Sequence, residues 1–417
     1  MDFFYIDNGE IRLKMYAFGT RLLSVDKCKL LAGIDKFRLE RGLVRAIQKD
    51  KRSVVLWFDH SLSGGTEIYS QREIEKRRQS SNIIRVRSNK TGNFYLTLFN
   101  NRTVNYFRIA KFELLRAVLE SIQISEVVIN NIVGYKDPSG ILTLVKELMR
   151  KETKVTLNVH DFYCICQNCN LMMNNQVFCK LNFKKCAECV KAANVNIDPF
   201  RWRQMWKNFL CNSCTEIRVF SASSANIVNR TFPNIEDKVV LIPHDVPYLR
   251  KARIKNHTKI NIAVLGNVGA VHKGRDVVIG LAEYLERCPD TLLYCIGKFD
   301  WGKRDRRSKK LIILGEYKVD QLTEICERLL IDIILIPSIC PETFSYTTSE
   351  AIMTGLPVAS FSLGAQAEKV NIYTRGLILK KQDPEYIITQ IKNHLNEVRI
   401  GKELRARNDW ILKSEDT

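Results

Sequence analysis

The chain has 417 residues, 45% of them hydrophobic and 26% charged, with a formal net charge of +20. That length holds two domains of ordinary size, and that balance excludes a disordered chain. No apolar run reaches the roughly 18 residues of a membrane helix, and the opening MDFFYIDNGEIRL has neither a basic leader nor a sustained apolar stretch, so the sequence predicts a cytoplasmic protein without a signal peptide.

Residues 1–52 are mixed and basic and read as an N-terminal extension. A βα rhythm starts at Ser53: SVVLWF suits a buried strand, DHSLSGG a loop, and TEIYSQREIEKRRQS a helix with Thr66 as its N-cap. Further strands are expected at Ile83–Val86, Phe94–Phe99, Glu126–Asn130 and Lys154–Val159, with helices at Lys111–Ile122 and Ile141–Arg150. This alternation predicts a parallel sheet covered on both faces. The rhythm breaks at a cysteine-rich insertion, residues 162–190, and resumes with FRWRQMWKNFL as a helix, IRVF as a strand, SASSANIVNRTF as a helix and VVLIP. The polar, basic segment 248–258 reads as a linker closing a first domain over 53–247.

A second series fills 259–383, with strands at INIAVL, TLLYCIG, LIILG, DIILIP, PVASF and GLIL and helices at Arg275–Arg287, Asp320–Leu330 and Thr347–Thr354. Pro384 opens a C-terminal helical segment, 384–417. The fold class is therefore α/β, two doubly wound domains in tandem, and ligands of such sheets bind at the carboxyl ends of strands, here at a cleft between domains.

The strongest motif is PETFSYTTSEAIMTGLPVASFSLGAQAE, Pro341 to Glu368. Glu342 lies on a strand-end loop and Glu350 in the first turns of the next helix, whose free N–H groups around Phe344–Thr347 can receive phosphate oxygens. Two carboxylates beside a phosphate repel it, but they can grip the hydroxyls of a ribose and a sugar on either side of a diphosphate. The plainer alternative makes Glu342 a solvated loop residue and Glu350 a partner of the helix dipole. In AVLGNVGAVHKGRDVV a glycine loop with Gly266 and Asn267 precedes Lys273, which can place a charge on phosphate. His160 ends the strand KVTLNV, followed by Asp161, while His244 reads as structural or near the donor.

Thirteen cysteines are present, eight of them between Cys164 and Cys214. Cys166, Cys169, Cys186 and Cys189 form C-x2-C-x16-C-x2-C, the spacing of a four-thiolate structural zinc site; buried free thiols are the alternative. Basic runs at Arg250, Lys251, Arg253 and Lys255, and at Lys303, Arg304, Arg306, Arg307, Lys309 and Lys310, suit either a solvated face or an anionic membrane surface. No aromatic-rich strand motif or finger spacing of a nucleic-acid reader accompanies them, so nucleic acid is the less favoured partner.

Glu342, Glu350, Ala351, Gly355, Pro357, Val358, Gly364 and Glu368 stand where the donor-site signature of the family-four retaining glycosyltransferases of the GT-B fold has its marks. The sequence resembles that family over residues 53–400, more strongly in the second half and in the manner of its polysaccharide-biosynthesis members. The resemblance implies two Rossmann-like domains facing each other across a cleft. It also implies retaining transfer of a hexose or deoxyhexose from a nucleotide diphosphate sugar to a glycan or lipid-linked glycan, without a catalytic metal. Glu350 would bind the ribose, Glu342 the transferred sugar, and Phe344, Ser345 and Tyr346 the diphosphate or sugar. Ser63, Gly64, Gly65 and Thr66 would form the first domain's glycine loop, and His160 would line the site near the sugar. The family often carries an arginine where Asn267 stands, and Arg275 is a substitute cation. The cysteines of similar members match Cys166, Cys179, Cys186 and Cys189 better than a set with Cys169. A GT-B epimerase and a basic, zinc-stapled nucleic-acid-binding protein are the competing functions; a phosphorylase would need a pyridoxal-binding lysine context that is missing.

Overall fold

The computed structural model describes residues 4–7, 10–13, 39–62, 64–89, 91–173, 176–193, 198–246, 248–302 and 308–399. Ser63 and four of the basic residues, Lys303, Arg304, Arg306 and Arg307, lie outside the described residues, as do 14–38 of the extension and 400–417 of the C-terminal segment.

Within the extension, β1 (Phe4–Asp7) and β2 (Glu10–Leu13) pair antiparallel. The first large sheet uses β3 (Val54–Asp59), β4 (Asn82–Ser88), β5 (Phe94–Phe99), β6 (Val104–Ile109), β7 (Glu126–Ile129) and β8 (Lys154–Asn158). A short antiparallel hairpin, β9 (Met172–Met173) with β10 (Val177–Phe178), follows, then β11 (Glu216–Val219) and β12 (Val239–Leu241). The eight-stranded order is β12-β11-β8-β7-β3-β4-β5-β6. β3 is buried along its whole length, because it runs parallel between β4 and β7 in the centre of the sheet.

The expectation of a parallel sheet holds for β4, β3, β7, β8 and β11, but β5 and β6 are antiparallel. The connections from Asn89 to Asn93 and from Asn100 to Thr103 are turns, too short for a crossover helix. Asn100 organises the second turn by accepting from the Arg102 and Thr103 amides at 3.0 and 2.7 Å. β6 went unread in the sequence because VNYFRI is an edge strand with no continuous apolar run: Tyr106 is 62% exposed. The helix Gly65–Arg77 begins two residues before the expected Thr66 cap would allow, with Gly64 at its N-cap position at φ 128°.

The second large sheet is built from β13 (Ile260–Leu265), β14 (Thr291–Ile296), β15 (Leu311–Gly315), β16 (Ile333–Ile336), β17 (Val358–Phe361) and β18 (Gly376–Leu379). Every pairing is parallel, in the order β15-β14-β13-β16-β17-β18. The four residues of β16 are all buried, as a strand covered on both faces requires. The helix Arg275–Leu285 covers one face through Val278, Leu281, Ala282 and Leu285, with the start of the helix Pro384–Arg399 joining it through Ile387, Ile388 and Ile391.

The chain divides into two compact units. One comprises Met1–His160, Lys207–Arg218 and Asp237–Val240; the other comprises Asp161–Trp206, Val219–Glu236 and Leu241–Thr417. The cysteine-rich segment thus belongs with the second sheet, where Met172 joins the core that holds Ile339 and Cys340. Phe162, Ile165, Leu171 and Met172 are each no more than 2% exposed, so apolar anchors order this segment. No described helix is long and apolar enough to cross a membrane.

Candidate functional site

Strand order reverses once in each sheet, and the candidate residues gather at those reversals. In the second sheet β13 and β16 are neighbours although two strands separate them in the chain, which makes their carboxyl ends the topological switch point where such sheets bind ligands. Gly266 leaves β13 at φ 84°, and the loop runs on through Asn267, whose Oδ1 accepts from the Gly269 amide at 3.1 Å. Lys273 then precedes Gly274, where φ is 87° and a Cβ would stand 2.0 Å from the carbonyl oxygen of Pro337. Only glycine lets the loop pass so close to the end of β16, and this close passage brings Lys273 to Glu342.

Lys273 Nζ donates to Glu342 Oε1 at 2.8 Å. The Ser338 hydroxyl donates to the same oxygen, and Ser345 adds a further side-chain hydrogen bond. Burial works against ionisation of Glu342, but Lys273 and the two serines outweigh it and hold the carboxyl at about 2. Burial likewise disfavours charge on Lys273, and Glu342 reverses that, leaving its affinity for a proton raised. Glu342 is therefore no solvated loop residue: its side chain is 10% exposed, against 39% for Lys273.

The helix Tyr346–Met353 starts behind Ser345, which sits at φ 60°. A non-glycine residue in this conformation is strained, and such strain concentrates at ligand-holding turns. Phe344 is stacked in an aromatic group with His244 and Tyr346, at ring centroids of 4.5 and 5.0 Å, and His244 Nδ1 bonds the Tyr346 hydroxyl. Glu350, 7% exposed, accepts from the Tyr317 hydroxyl at 2.9 Å; burial raises its pKa and Tyr317 only partly offsets this.

Two residues here escaped the sequence reading. Tyr317 gave no signal, because nothing in a loop tyrosine distant in sequence marks it as the partner of Glu350. Lys369 directly follows Glu368 of the motif, and that position was its signal. Its ammonium lies 3.3 Å from the centroid of Phe344, donating to Ser349 Oγ at 2.6 Å and to the Ser345 carbonyl at 3.3 Å. Burial pushes it down to about 7, with Glu342 and Glu368 opposing. Glu368 itself accepts from the amides of Ala222 and Ser223 at 3.2 and 2.8 Å, at the start of the helix Ala222–Thr231. Arg275, the expected substitute cation, instead bonds Asp276 beside it at 3.1 Å.

In the first unit the switch point lies between β3 and β7. Asp59 ends β3, Asn130 follows β7, Asn158 ends β8, and His160 stands two residues beyond. Asn130 Oδ1 receives Asn158 Nδ2 at 2.8 Å and lies 2.9 Å from His160 Nε2. The Tyr69 ring meets the His160 imidazole edge-on, with centroids 4.7 Å apart.

No protein-family model and no curated protein matches the sequence. Among solved structures, sucrose-phosphate synthase from Thermosynechococcus elongatus superposes with a TM-score of 0.53 at 14% identity, over 85% of this chain and 92% of that one. HepE of Anabaena, in complex with UDP, gives 0.55 at 10% identity, over 84% and 92%. A glycosyltransferase from Rickettsia africae ESF-5 gives 0.50 at 14%, over 85% and 91%. The chain has the GT-B fold.

Within this GT-B chain the cysteines divide. Cys166 lies within electrostatic reach of Cys179, Cys186 and Cys189, while burial raises its pKa to about 11. Cys169 is raised further by burial, with the Asp161 carboxylate adding to the rise and Cys166 and Cys340 as neighbouring thiols. Arg203 donates to Cys186 Sγ at 3.6 Å. Among the described residues no group of three or more His, Cys, Asp or Glu side chains is arranged to hold a metal ion. Of the basic runs, Arg250 is engaged by Glu327 at 2.5 and 2.7 Å, and Lys310 Nζ donates to the carbonyls of Cys288, Pro289 and Thr291 at 2.7 to 3.2 Å.

Proposed function

We propose that this chain is a retaining glycosyltransferase, passing a hexose or deoxyhexose from a nucleotide diphosphate sugar to a glycan or lipid-linked glycan. The observation that carries the reading is the gathering of Gly266, Lys273, Glu342, Ser345 and Glu350 around the β13/β16 reversal. HepE, which shares the fold, was crystallised with UDP and with UDP-glucose.

On this reading the amides of Phe344, Ser345 and Tyr346 and the ammonium of Lys273 take the diphosphate oxygens, and the growing charge on the leaving group is met by donors already in place. Lys273 is paired with Glu342 in the chain alone. A diphosphate drawing on Lys273 releases a carboxylate that can accept sugar hydroxyls, so one ion pair serves both halves of the donor. Lys369 supplies the second cation, in place of the arginine absent at Asn267. Glu350, held by Tyr317, receives the ribose hydroxyls. His160 is the catalytic candidate of the first unit. A structural zinc on Cys166, Cys179, Cys186 and Cys189 belongs to the same reading: the first three are soft donors within mutual electrostatic reach, Cys189 acts on both Cys166 and Cys179, and four thiolates suit zinc.

Calorimetry of the purified chain against uridine, guanosine and thymidine diphosphate sugars tests the donor. Saturable binding of one base class is expected, weakened more than tenfold by Glu350→Ala, or roughly 1.5–3 kcal/mol for a lost hydrogen bond to a charged group. Binding of none of them, with salt-sensitive binding of oligonucleotides instead, would replace this reading with the nucleic-acid one. Conversion of the bound sugar nucleotide to its epimer would replace it with the epimerase.

A further inference from the structure

At the reversal in the first sheet, five polar contacts converge on the Asp59 carboxylate, which is fully buried. Oδ1 accepts from the His60 amide at 3.0 Å and Asn130 Nδ2 at 3.1 Å; Oδ2 accepts from Ser70 Oγ at 2.6 Å and from Arg85 at 2.9 and 2.5 Å. Arg85 is in turn bonded to Glu67, which also pairs with Arg87 at 2.7 Å. The Arg85 guanidinium on Oδ2 and the His60 amide on Oδ1 can only donate, so toward them Asp59 can only accept.

That restriction passes along the chain of contacts. Asn130, 1% exposed, must turn its amide NH2 toward Asp59, because its carbonyl there would face a carboxylate. Its Oδ1 then points the other way, and it can only accept from Asn158 Nδ2 and from His160 Nε2. The hydrogen between Asn130 and His160 must therefore belong to the imidazole. In the neutral ring Nε2 carries the proton and Nδ1 the lone pair.

We propose that Asp59, acting through Asn130, sets which nitrogen of His160 is protonated, and that both are positioning residues for that histidine. Their bearing on sugar transfer rests on the glycosyltransferase reading and on His160 acting in it; the tautomer does not. Asp59→Asn is the informative change. The amide introduced at position 59 can offer its NH2 to Asn130 while keeping its oxygen toward Arg85 and Ser70, at the loss of the bond from the His60 amide. Asn130 is then free to turn over and present its own NH2 to His160, which favours the opposite tautomer.

The experiment is nitrogen-15 NMR of the full chain labelled in its six histidines, with His160 assigned by the signal lost in His160→Gln. The native protein is expected to show a neutral His160 protonated at Nε2. Asp59→Asn should move it toward Nδ1, and Asn130→Ala, which cuts the connection with a smaller change in charge, should leave a mixture. A native ring protonated at Nδ1 overturns the proposal. So does an unaltered tautomer in Asn130→Ala, which decides the matter if Asp59→Asn does not fold. In turnover with the sugar nucleotide found by calorimetry, Asp59→Asn is expected to lose on the order of 10- to 100-fold, by analogy with the loss of a partner that orients a metal-ligating histidine. A native rate in His160→Gln would instead remove His160 from the reaction and leave the tautomer result standing.

Discussion

At the strand reversal of the first sheet, Asp59, Asn130 and Asn158 are each no more than 3% exposed, and Asn130 links the other two through its amide while Asp59 is held further by His60, Ser70 and Arg85. At the reversal of the second sheet, Lys273 keeps 39% of its side chain exposed and its one carboxylate partner is Glu342 among the described residues. The same topological position thus carries a buried network in one unit and an exchangeable ion pair in the other. A buried network of this kind fixes geometry, since a group entering it must break the bonds that Asp59 and Asn130 already make. In an ion pair whose cation is partly exposed, that cation can turn toward a phosphate, while the serines bonded to the buried carboxylate stay in place. The first arrangement suits holding a ring in place, the second gripping and releasing a charged donor.

The change expected to break this comparison most severely is Lys273→Met. It removes the cation that a leaving diphosphate needs and leaves Glu342 a buried carboxylate without its main counter-charge. Turnover should fall by about 10²- to 10³-fold, as when one preorganised stabilising donor is lost. The carboxyl, now near 2, should rise, so the variant should also lose less stability on acidification than the native chain. The linkage is direct: a carboxyl depressed in the folded state stabilises above its unfolded value near 4.5 and loses that contribution as pH falls toward 2. Steady-state rates at pH 7 and urea midpoints at pH 7 and about pH 3 check both halves; native turnover in this variant would remove Lys273 from the donor site.

A smaller effect separates the two cations of the second unit. Lys369 titrates near 7 in the folded chain against an ordinary 10.5, so burial penalises folding most below pH 7, and the penalty fades as pH rises toward 10.5. A bound diphosphate favours its charged form, and binding above pH 7 then takes up a proton. Nucleotide affinity should fall several-fold between pH 7 and pH 9, and Lys369→Met should flatten that slope while weakening binding at pH 7. A slope equal in variant and native protein would place Lys369 outside the phosphate site.

The smallest effect on activity is expected from the cysteine segment, whose apolar anchors already seat it on the second sheet. Elemental analysis of protein purified without chelator should find about one zinc per chain, lost in Cys186→Ser with Cys189→Ser. Removing it should lower the melting temperature more than it lowers turnover, because four thiolates leave no open position for substrate. Freely alkylated thiols in metal-free native protein would end this assignment.

Read along the chain, INIAVL and DIILIP announce buried parallel strands, and the Pro341–Glu368 motif suggests a donor site through its resemblance to a glycosyltransferase signature rather than through spacing alone. Local sequence determines such things because apolar continuity, glycine at a crowded loop and a carboxylate at a strand end are properties of short segments. It could not determine that Lys273 meets Glu342, that Tyr317 holds Glu350, or that Asp59 governs His160 across Asn130. Those pairs are 69, 33 and 101 residues apart in sequence, and parallel pairing brings their strand ends together. Nor could it show that β5 and β6 turn back antiparallel, since a strand pattern records which face is buried and not the direction of the neighbour that buries it. Only the tertiary structure, by placing strand ends from distant parts of the chain side by side, decided which charges are paired and which remain for a ligand.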